Sequence, residues 1–277
     1  MAAAGFAPPP PHQPNSLPPV PPARTDRRTA RNPNAMTQNI YDTPDFFTAY
    51  SQLPRSVHGL DAAPEWPVLR AMLPDLTGKR VPDLGCGYGW FSRWACGAGA
   101  GSVLALDVSE RMLARARTDT EDPAIAYRRQ DLETVALPHA AFDLAYSSLV
   151  LHYLQRLDRQ FAGIHAALVP GGTLVFAVEH PTATAPAHPA FTQDATGRKS
   201  WPLNGYFDEG PRVTDWRAKG VIKQHRTVAT YLNLLAGAGF RITRIEEWSP
   251  SPEQVAAHPD WADERTRPLF LLVAASR

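Results

Sequence analysis

The amino-acid sequence predicts an α/β protein with one mostly parallel sheet of seven strands, helices on both faces and an antiparallel last strand. From residue 80 onward, short apolar runs alternate with helical stretches, which is typical of a parallel sheet covered by helices. The connection before the last run is long and rich in proline and acids, so it can reverse the chain direction. The expected strands are 80–84, 102–106, 125–128, 142–147, 173–178, 240–248 and 269–275.

Helices are expected over 90–98, 110–116 and 157–168, between the first five strands. In the third of these, apolar residues recur at the spacing of one helix face. His165 lies on that face, so we expect it to be a packed helix residue rather than a ligand-binding one.

The region before the sheet divides into two parts. Residues 1–35 are crowded with proline and poor in large apolar residues, which predicts a disordered tail. Residues 36–79 are expected to form a helical cap. Its first helix starts at Thr43-Pro44-Asp45, a cap followed by proline and an acid, and ends at Leu53-Pro54. A second helix is expected to start near Pro64.

Residues 80–277 are expected to form the main domain, and residues 181–224 interrupt its rhythm of strands and helices. A loop of this length in a compact domain is usually functional or disordered. The aromatic residues within it favour a functional insertion on the substrate side. They are Trp201, Tyr206, Phe207 and Trp216.

Composition limits the possible partners and location. The formal net charge is +1, and no basic cluster outside the tail suggests a nucleic-acid partner. Two cysteines, Cys86 and Cys96, cannot form a disulfide framework or a four-ligand zinc site, and no metal is expected. No apolar run approaches about 18 residues, so a cytoplasmic protein without a membrane span is expected. Nothing decides between a monomer and a homodimer.

A glycine cluster between the first strand and the next helix is the strongest local signal. Glycines there let the backbone approach a ligand closely. A dinucleotide fingerprint needs Gly-x-Gly-x-x-Gly, but here the third glycine, Gly89, comes one place early. Asp83 precedes the cluster, and its carboxylate would repel a pyrophosphate but attract a cationic amino acid moiety.

The segment Asp83-Leu84-Gly85-Cys86-Gly87-Tyr88-Gly89 resembles the first motif of class I S-adenosylmethionine-dependent methyltransferases, of the type 11-like, small-molecule kind. Five motifs in the order of that family cover about residues 80–180. The resemblance implies a Rossmann-like fold and S-adenosyl-L-methionine as the cofactor. By this resemblance, Asp107 accepts hydrogen bonds from the ribose hydroxyls, and Asp131 lies by the adenine amino group. The implied cofactor residues are Asp83, Gly85, Cys86, Gly87, Asp107, Val108, Met112, Asp131, Leu132 and Ser147, with Tyr50 and Arg55 as a lid over the cofactor carboxylate.

One residue of the first motif departs from the family. Pro82 stands where most members have an ordinary apolar residue, and proline removes a hydrogen-bond donor from a strand expected in the middle of the sheet. Either a local defect in the ladder or a simple variant residue would account for it.

Histidines at the carboxyl edge of the sheet are the candidates for catalysis. His152 follows the fourth strand, where it can serve as a general base or make a contact near the cofactor. His180, after Glu179 at the end of the fifth strand, is a second candidate base or substrate contact. For Tyr50, plain packing against Phe46 is the alternative to a lid.

A basic group near the last helix is a further candidate. Lys223, His225 and Arg226 are expected to enter that helix, where they either contact an acidic substrate group or form a solvated helix start.

These patterns predict methyl transfer to an oxygen or nitrogen of a small-molecule acceptor. Two alternatives stay open: a methyltransferase acting on RNA or protein, and a nicotinamide-dependent oxidoreductase. The glycine spacing and the lack of a Tyr-x-x-x-Lys pair weigh against the oxidoreductase.

Overall fold

The computed structural model describes residues 37–215 and 219–277. The predictions for the tail 1–35 and for Trp216 lie outside these described residues. The helices are α1 (Pro44–Ser51), α2 (Pro54–His58), α3 (Trp66–Arg70), α4 (Trp90–Gly97), α5 (Glu110–Thr118), α6 (Leu157–Ala167), α7 (Pro181–Thr184), α8 (Val228–Gly237) and α9 (Pro252–Ala257). The strands are β1 (Arg80–Leu84), β2 (Ser102–Asp107), β3 (Ile125–Arg129), β4 (Phe142–Ser148), β5 (Leu168–Glu179), β6 (Thr192–Gln193), β7 (Lys199–Ser200), β8 (Gly210–Thr214), β9 (Val221–His225), β10 (Arg241–Trp248) and β11 (Phe270–Ser276).

Seven of these strands form one sheet in the order β3, β2, β1, β4, β5, β11, β10. Neighbouring strands from β3 to β5 are parallel, whereas β11 runs antiparallel to both β5 and β10. This confirms the predicted Rossmann-like fold class, with its antiparallel last strand. The order reverses between β1 and β4, and ligands of such sheets bind outside the carboxyl ends of the strands at that point.

Apolar side chains cover both faces of the sheet. On one face, Phe91 of α4 stacks on Tyr146 of β4 with ring centroids 3.5 Å apart. On the other face, Phe161 and Ile164 of α6 are fully buried against the same sheet. His165, on the adjoining side of α6, packs edge-on against Phe240 at 5.0 Å, as expected for a packing residue.

Pro82 produces a local defect in the ladder between β1 and β4. The strand β1 pairs with β2 over five residues, from Arg80↔Ser102 to Leu84↔Leu106. Its pairing with β4 is limited to Asp83↔Tyr146. The donor that Pro82 lacks is therefore missing on the β4 side. The carboxyl end of β1, which leads into the glycine cluster, keeps its pairing.

The insertion folds into α7 and two small hairpins, β6–β7 and β8–β9. Lys223 and His225 lie in β9, and α8 begins only at Val228, so their expected place at the helix entry is wrong. They are also buried rather than solvated, because β9 packs against the turn Leu151–Tyr153 and against α7.

The segment before the sheet is helical and joins the insertion. Pro44 occupies the first turn of α1, and the fully buried Phe46 of that helix packs with Ile40 and with Val221 of β9. The second expected helix is present as the short α3, with Trp66 at its start. Within the described residues, no helix has the length and apolar character needed to cross a membrane.

Candidate active site

The glycine cluster forms a turn at the carboxyl end of β1. The amides of Gly85 and Cys86 donate to the Leu106 carbonyl at 2.8 and 2.9 Å, which ties the turn to β2. Gly85 has φ +83°, and a Cβ there would lie 2.3 Å from a methyl of Val150. Gly87 has φ +53°, and a Cβ there would meet no atom within 4 Å. The turn therefore packs tightly at Gly85 and leaves open space beside Gly87.

Asp107 lies at the end of β2, next to this turn. Its carboxylate accepts hydrogen bonds from the amides of Gly87 and Ser109, both at 2.9 Å. Burial raises the pKa of Asp107, and these two hydrogen bonds oppose the rise. The carboxylate is thus fixed in orientation at the rim of the open space.

Asp131 follows β3 and is buried. It accepts from the Glu133 amide at 2.9 Å and from Thr37, whose amide and hydroxyl donate at 2.9 and 2.6 Å. Thr37 of the N-terminal segment thus lies against Asp131, a contact that nothing in the sequence pattern indicated.

These motifs meet at one space, which we call the central pocket. It encloses about 180 Å³ at the carboxyl ends of β1, β2 and β4. The predicted site residues that line it are Tyr50, Arg55, Gly85, Gly87, Asp107, Val108, Met112, Asp131, Leu132 and His152. Asp83 and Cys86 line a smaller adjoining pocket that shares Gly85 and Gly87.

Asp83 is 2% exposed, and Ser92 donates to it at 2.6 Å. Burial raises the pKa of Asp83 to about 7, with the charge of Asp107 adding to the rise and the Ser92 hydroxyl opposing it. A cationic group arriving nearby would favour its ionised form.

Two predicted residues lie outside both pockets. Ser147 is fully buried and donates to the Leu84 carbonyl at 2.8 Å, so it links β4 to β1 instead. His180 is 2% exposed, and its Nδ1 accepts from the Thr182 amide at 3.1 Å, which caps α7. Its Nε2 lies 2.9 Å from a carboxylate oxygen of Glu247. The structure does not bring His180 to the site.

His152 is 1% exposed, and neither ring nitrogen has a hydrogen-bond partner among the described residues. Burial lowers the pKa of His152 to about 4, and the charges of Lys223 and Arg226 lower it further while Glu179 opposes them. His152 is therefore neutral at pH 7. A buried polar ring without a partner at the wall of a pocket is typical of a ligand-binding position.

The buried Lys223 and the partly exposed Glu179 form an ion pair beside His152, at 2.6 Å. Burial raises the pKa of the Glu179 carboxyl, but His152 and Lys223 outweigh this effect and hold the pKa below its ordinary value. The sequence pattern did not pair them because the hairpin β8–β9 brings Lys223 across from β5. Arg226 also turns inward and donates to the Leu154 carbonyl at 2.6 Å.

The two expected lid residues have other partners as well. Arg55 donates to both carboxylate oxygens of the buried Glu65, at 2.8 and 3.0 Å. Tyr50 stacks on Phe46 with centroids 6.0 Å apart, the packing that was the alternative to a lid, and it also lines the central pocket.

A second, larger space lies beside the central pocket, and we call it the insertion chamber. It encloses about 830 Å³. Its walls come mostly from the insertion, with Trp201 among them, and from Trp261, Arg267 and Phe270 near the end of the chain. The chamber and the central pocket share Leu53, Arg55, Leu149 and Glu179.

A glycine turn and two strand-end acids at the carboxyl edge of a parallel sheet define a protein that binds a nucleoside cofactor. The family model described as "Methyltransferase domain" matches residues 82–176. A crystal structure of an S-adenosylmethionine-dependent methyltransferase from Mesorhizobium loti is 56% identical in sequence, covers 79% of this chain and 100% of its own, and superposes with a TM-score of 0.77.

Two sequence relatives extend the comparison. A protein of Haemophilus influenzae whose name states no activity is 32% identical over 247 residues, which are 86% of this chain and 97% of the relative. The N-demethylindolmycin N-methyltransferase of Streptomyces griseus is 28% identical over 189 residues, 65% of this chain and 77% of the relative.

The chain belongs to the S-adenosylmethionine-dependent methyltransferases. This confirms the expected enzyme class and its cofactor, S-adenosyl-L-methionine, and replaces the nicotinamide alternative. The residues present fit that cofactor, because the turn leaves open space at Gly87 and the Asp107 carboxylate stands fixed beside it.

Proposed function

We propose that the chain transfers a methyl group to an oxygen or nitrogen atom of a small molecule. The observation that carries this proposal is the boundary shared by the central pocket and the insertion chamber, which includes Leu149 and Glu179. An acceptor bound in the chamber can meet a cofactor held over the glycine turn. Such pockets, largely apolar with a few polar groups, are typical of small-molecule sites.

The cofactor contacts follow from the motif order and remain part of the proposal. S-adenosyl-L-methionine supplies a methyl group bonded to a positively charged sulfur. In our assignment, Asp107 accepts hydrogen bonds from the ribose hydroxyls and Asp131 from the adenine amino group. Asp83 stabilises the cationic amino acid moiety from the adjoining pocket. Methyl transfer is an in-line displacement, so the main task of these residues is positioning.

His152 is our proposed proton acceptor. It is neutral at pH 7, and one of its two unpartnered ring nitrogens is free to accept a proton. An oxygen nucleophile becomes strongly acidic once it bonds to the methyl carbon, so even a weak base can take its proton. The proton moves to an imidazole nitrogen, and the nearby Glu179 carboxylate stabilises the resulting cation.

The alternative of an RNA or protein acceptor is less well supported, because the net charge is close to zero. The relative from Streptomyces griseus, named for a small-molecule acceptor, agrees with the proposal. We also propose a cytoplasmic location, because both cysteines are unpaired, as is usual in a reducing compartment.

The proposal is tested with methyl-labelled S-adenosyl-L-methionine and an extract of the source organism divided into small-molecule, RNA and protein fractions. We expect label to enter only the small-molecule fraction. The Asp107→Ala variant is the control for label that does not require the cofactor site. Label confined to RNA or protein would overturn the proposal.

A further inference from the structure

The insertion chamber contains an arginine whose hydrogen-bonding capacity is unused. The Arg267 side chain is 10% exposed, and its Nε and Nη1 have no hydrogen-bond partner among the described residues. Only Nη2 has a counter-ion, a carboxylate oxygen of Glu264 at 3.0 Å. Buried guanidinium nitrogens without partners are costly, so a group that accepts their hydrogen bonds is expected nearby.

Aromatic rings hold this guanidinium in place. Its carbon lies 3.8 Å from the ring centre of Trp201 and 5.6 Å from that of Phe191. Trp201 is itself fixed, because its indole nitrogen donates to the Thr182 carbonyl at 2.9 Å. The cation is thus oriented before any ligand arrives, which reduces the entropy lost on binding.

Cationic side chains outnumber carboxylates on the chamber wall, although Arg55 is paired with Glu65, which does not line the chamber. Four cationic side chains and two carboxylates line it within the described residues. One carboxylate, that of Glu179, is neutralised by Lys223. Arg212, another of the four cations, donates to the backbone carbonyls of Ala185 and Gly205 rather than to a carboxylate.

Arg267 lines the insertion chamber but not the central pocket. The residues common to the chamber and the central pocket include Leu149 and Glu179, whereas Arg267 lines the chamber alone. The chamber is also lined by Trp201, Trp261 and Phe270, which suit a flat or apolar body. An anion at Arg267 would therefore anchor the far end of the acceptor and leave its other end near the cofactor.

We propose that the methyl acceptor is an aromatic or apolar acid whose oxyanion, a carboxylate or a phosphate, binds Arg267 in the insertion chamber. This inference rests on the proposed function, and it specifies the acceptor class. The anion is an anchor in this scheme, and the atom that receives the methyl group lies at the opposite end.

The test measures binding by calorimetry in the presence of S-adenosylhomocysteine. The probes are benzoate, phenylacetate, indole-3-acetate and phenyl phosphate, compared with benzamide, phenylacetamide and indole-3-acetamide. We expect at least one acid to bind roughly tenfold or more tightly than the neutral probes, because hydrogen bonds to charged groups are the strong ones. The carboxylate and phosphate arms show which oxyanion is preferred.

Two substitutions locate the site. Arg267→Met should weaken acid binding roughly tenfold or more, whereas Arg267→Lys should retain part of it. Arg244→Met is the matched control, because Arg244 is an exposed arginine that also has a carboxylate partner, Glu246, at 2.7 Å. It should bind the acids like the wild type. If Arg267→Met fails to fold, two measurements still test the proposal. They are the comparison of acids with neutral probes on the wild type and the acid binding of Arg267→Lys.

Equal binding of acids and neutral probes, no binding of any acid, or unchanged acid binding by Arg267→Met would overturn the inference. The labelling experiment distinguishes a failure of the anionic-acceptor inference from a failure of the proposed function. A neutral small molecule as the labelled product would refute the anionic acceptor and leave the function standing. Acid binding at Arg267 with label only in macromolecules would refute the function and leave the anion site standing.

Discussion

Gly87→Ala should weaken cofactor binding while the fold stays nearly intact. A Cβ at Gly87 meets no atom within 4 Å, and it would project into the open space of the central pocket. Its φ of +53° lies in the left-handed region, which costs an alanine roughly 1–2 kcal/mol. Overpacking by one methyl group typically costs about 1–3 kcal/mol, so we expect a loss of affinity of roughly 5- to 150-fold.

Gly85→Ala should mainly lower the stability of the fold, in contrast to the loss of cofactor affinity expected for Gly87→Ala. A Cβ there would lie 2.3 and 2.7 Å from the two methyls of Val150, at a φ of +83°. Backbone strain and overpacking add, and they predict a fall of roughly 2–5 kcal/mol in the free energy of unfolding. Gly97→Ala is the control, because Gly97 is exposed, has ordinary φ and has no atom within 4 Å of its Cβ position.

Two assays separate these effects: calorimetric titration with S-adenosyl-L-methionine and urea denaturation of the free protein. Wild-type cofactor affinity of Gly87→Ala would refute the expected clash in the central pocket. Equal stability of Gly85→Ala and Gly97→Ala would refute the expected strain and overpacking at Gly85.

Two further predictions concern the titratable residues of the site. Asp107→Ala should lower cofactor affinity roughly 100-fold or more, because the ribose and the Gly87 amide both lose a charged acceptor; unchanged affinity in a calorimetric titration would refute the assignment. The pKa of His152 is lowered to about 4 in the folded protein from the usual value near 6.5, so its stabilising contribution is present above pH 6.5 and is lost as the pH falls toward 4. Between pH 7 and pH 5 the wild type should lose roughly 2 kcal/mol more unfolding free energy than His152→Phe, and equal losses in urea denaturation would contradict the burial argument.

The sheet was predictable because its signals are local. The expected strand 80–84 matches β1 in both bounds, and the expected starts of α4, α5 and α6 match as well. Each is set by apolar periodicity and by a neighbouring glycine, cap or acid, which act over a few residues. The beginning of β5 at Leu168 was missed, since its first residues include Pro170-Gly171-Gly172, which are typical of a turn.

The parts of the site that depend on side-chain direction were not predictable. His180 lies at the predicted edge of the sheet, but its ring turns away to cap α7. Lys223 reaches Glu179 only because β9 pairs with β8, a contact fixed by the hairpin as a whole. The buried, unpartnered nitrogens of Arg267 accompany its packing on Trp201, and no short motif encodes that pairing.

The single proline in β1 leaves only one paired position between the two central strands β1 and β4. Strands usually separate first at the edges, but here the shortest hydrogen-bonded junction is between β1 and β4. Side chains must hold this junction closed: Val81 with Leu144 on one face, and Leu84 with Ala145 on the other. Small losses of apolar volume at these positions would therefore weaken the contact between the strand that leads into the glycine turn and the half of the sheet that contains β5.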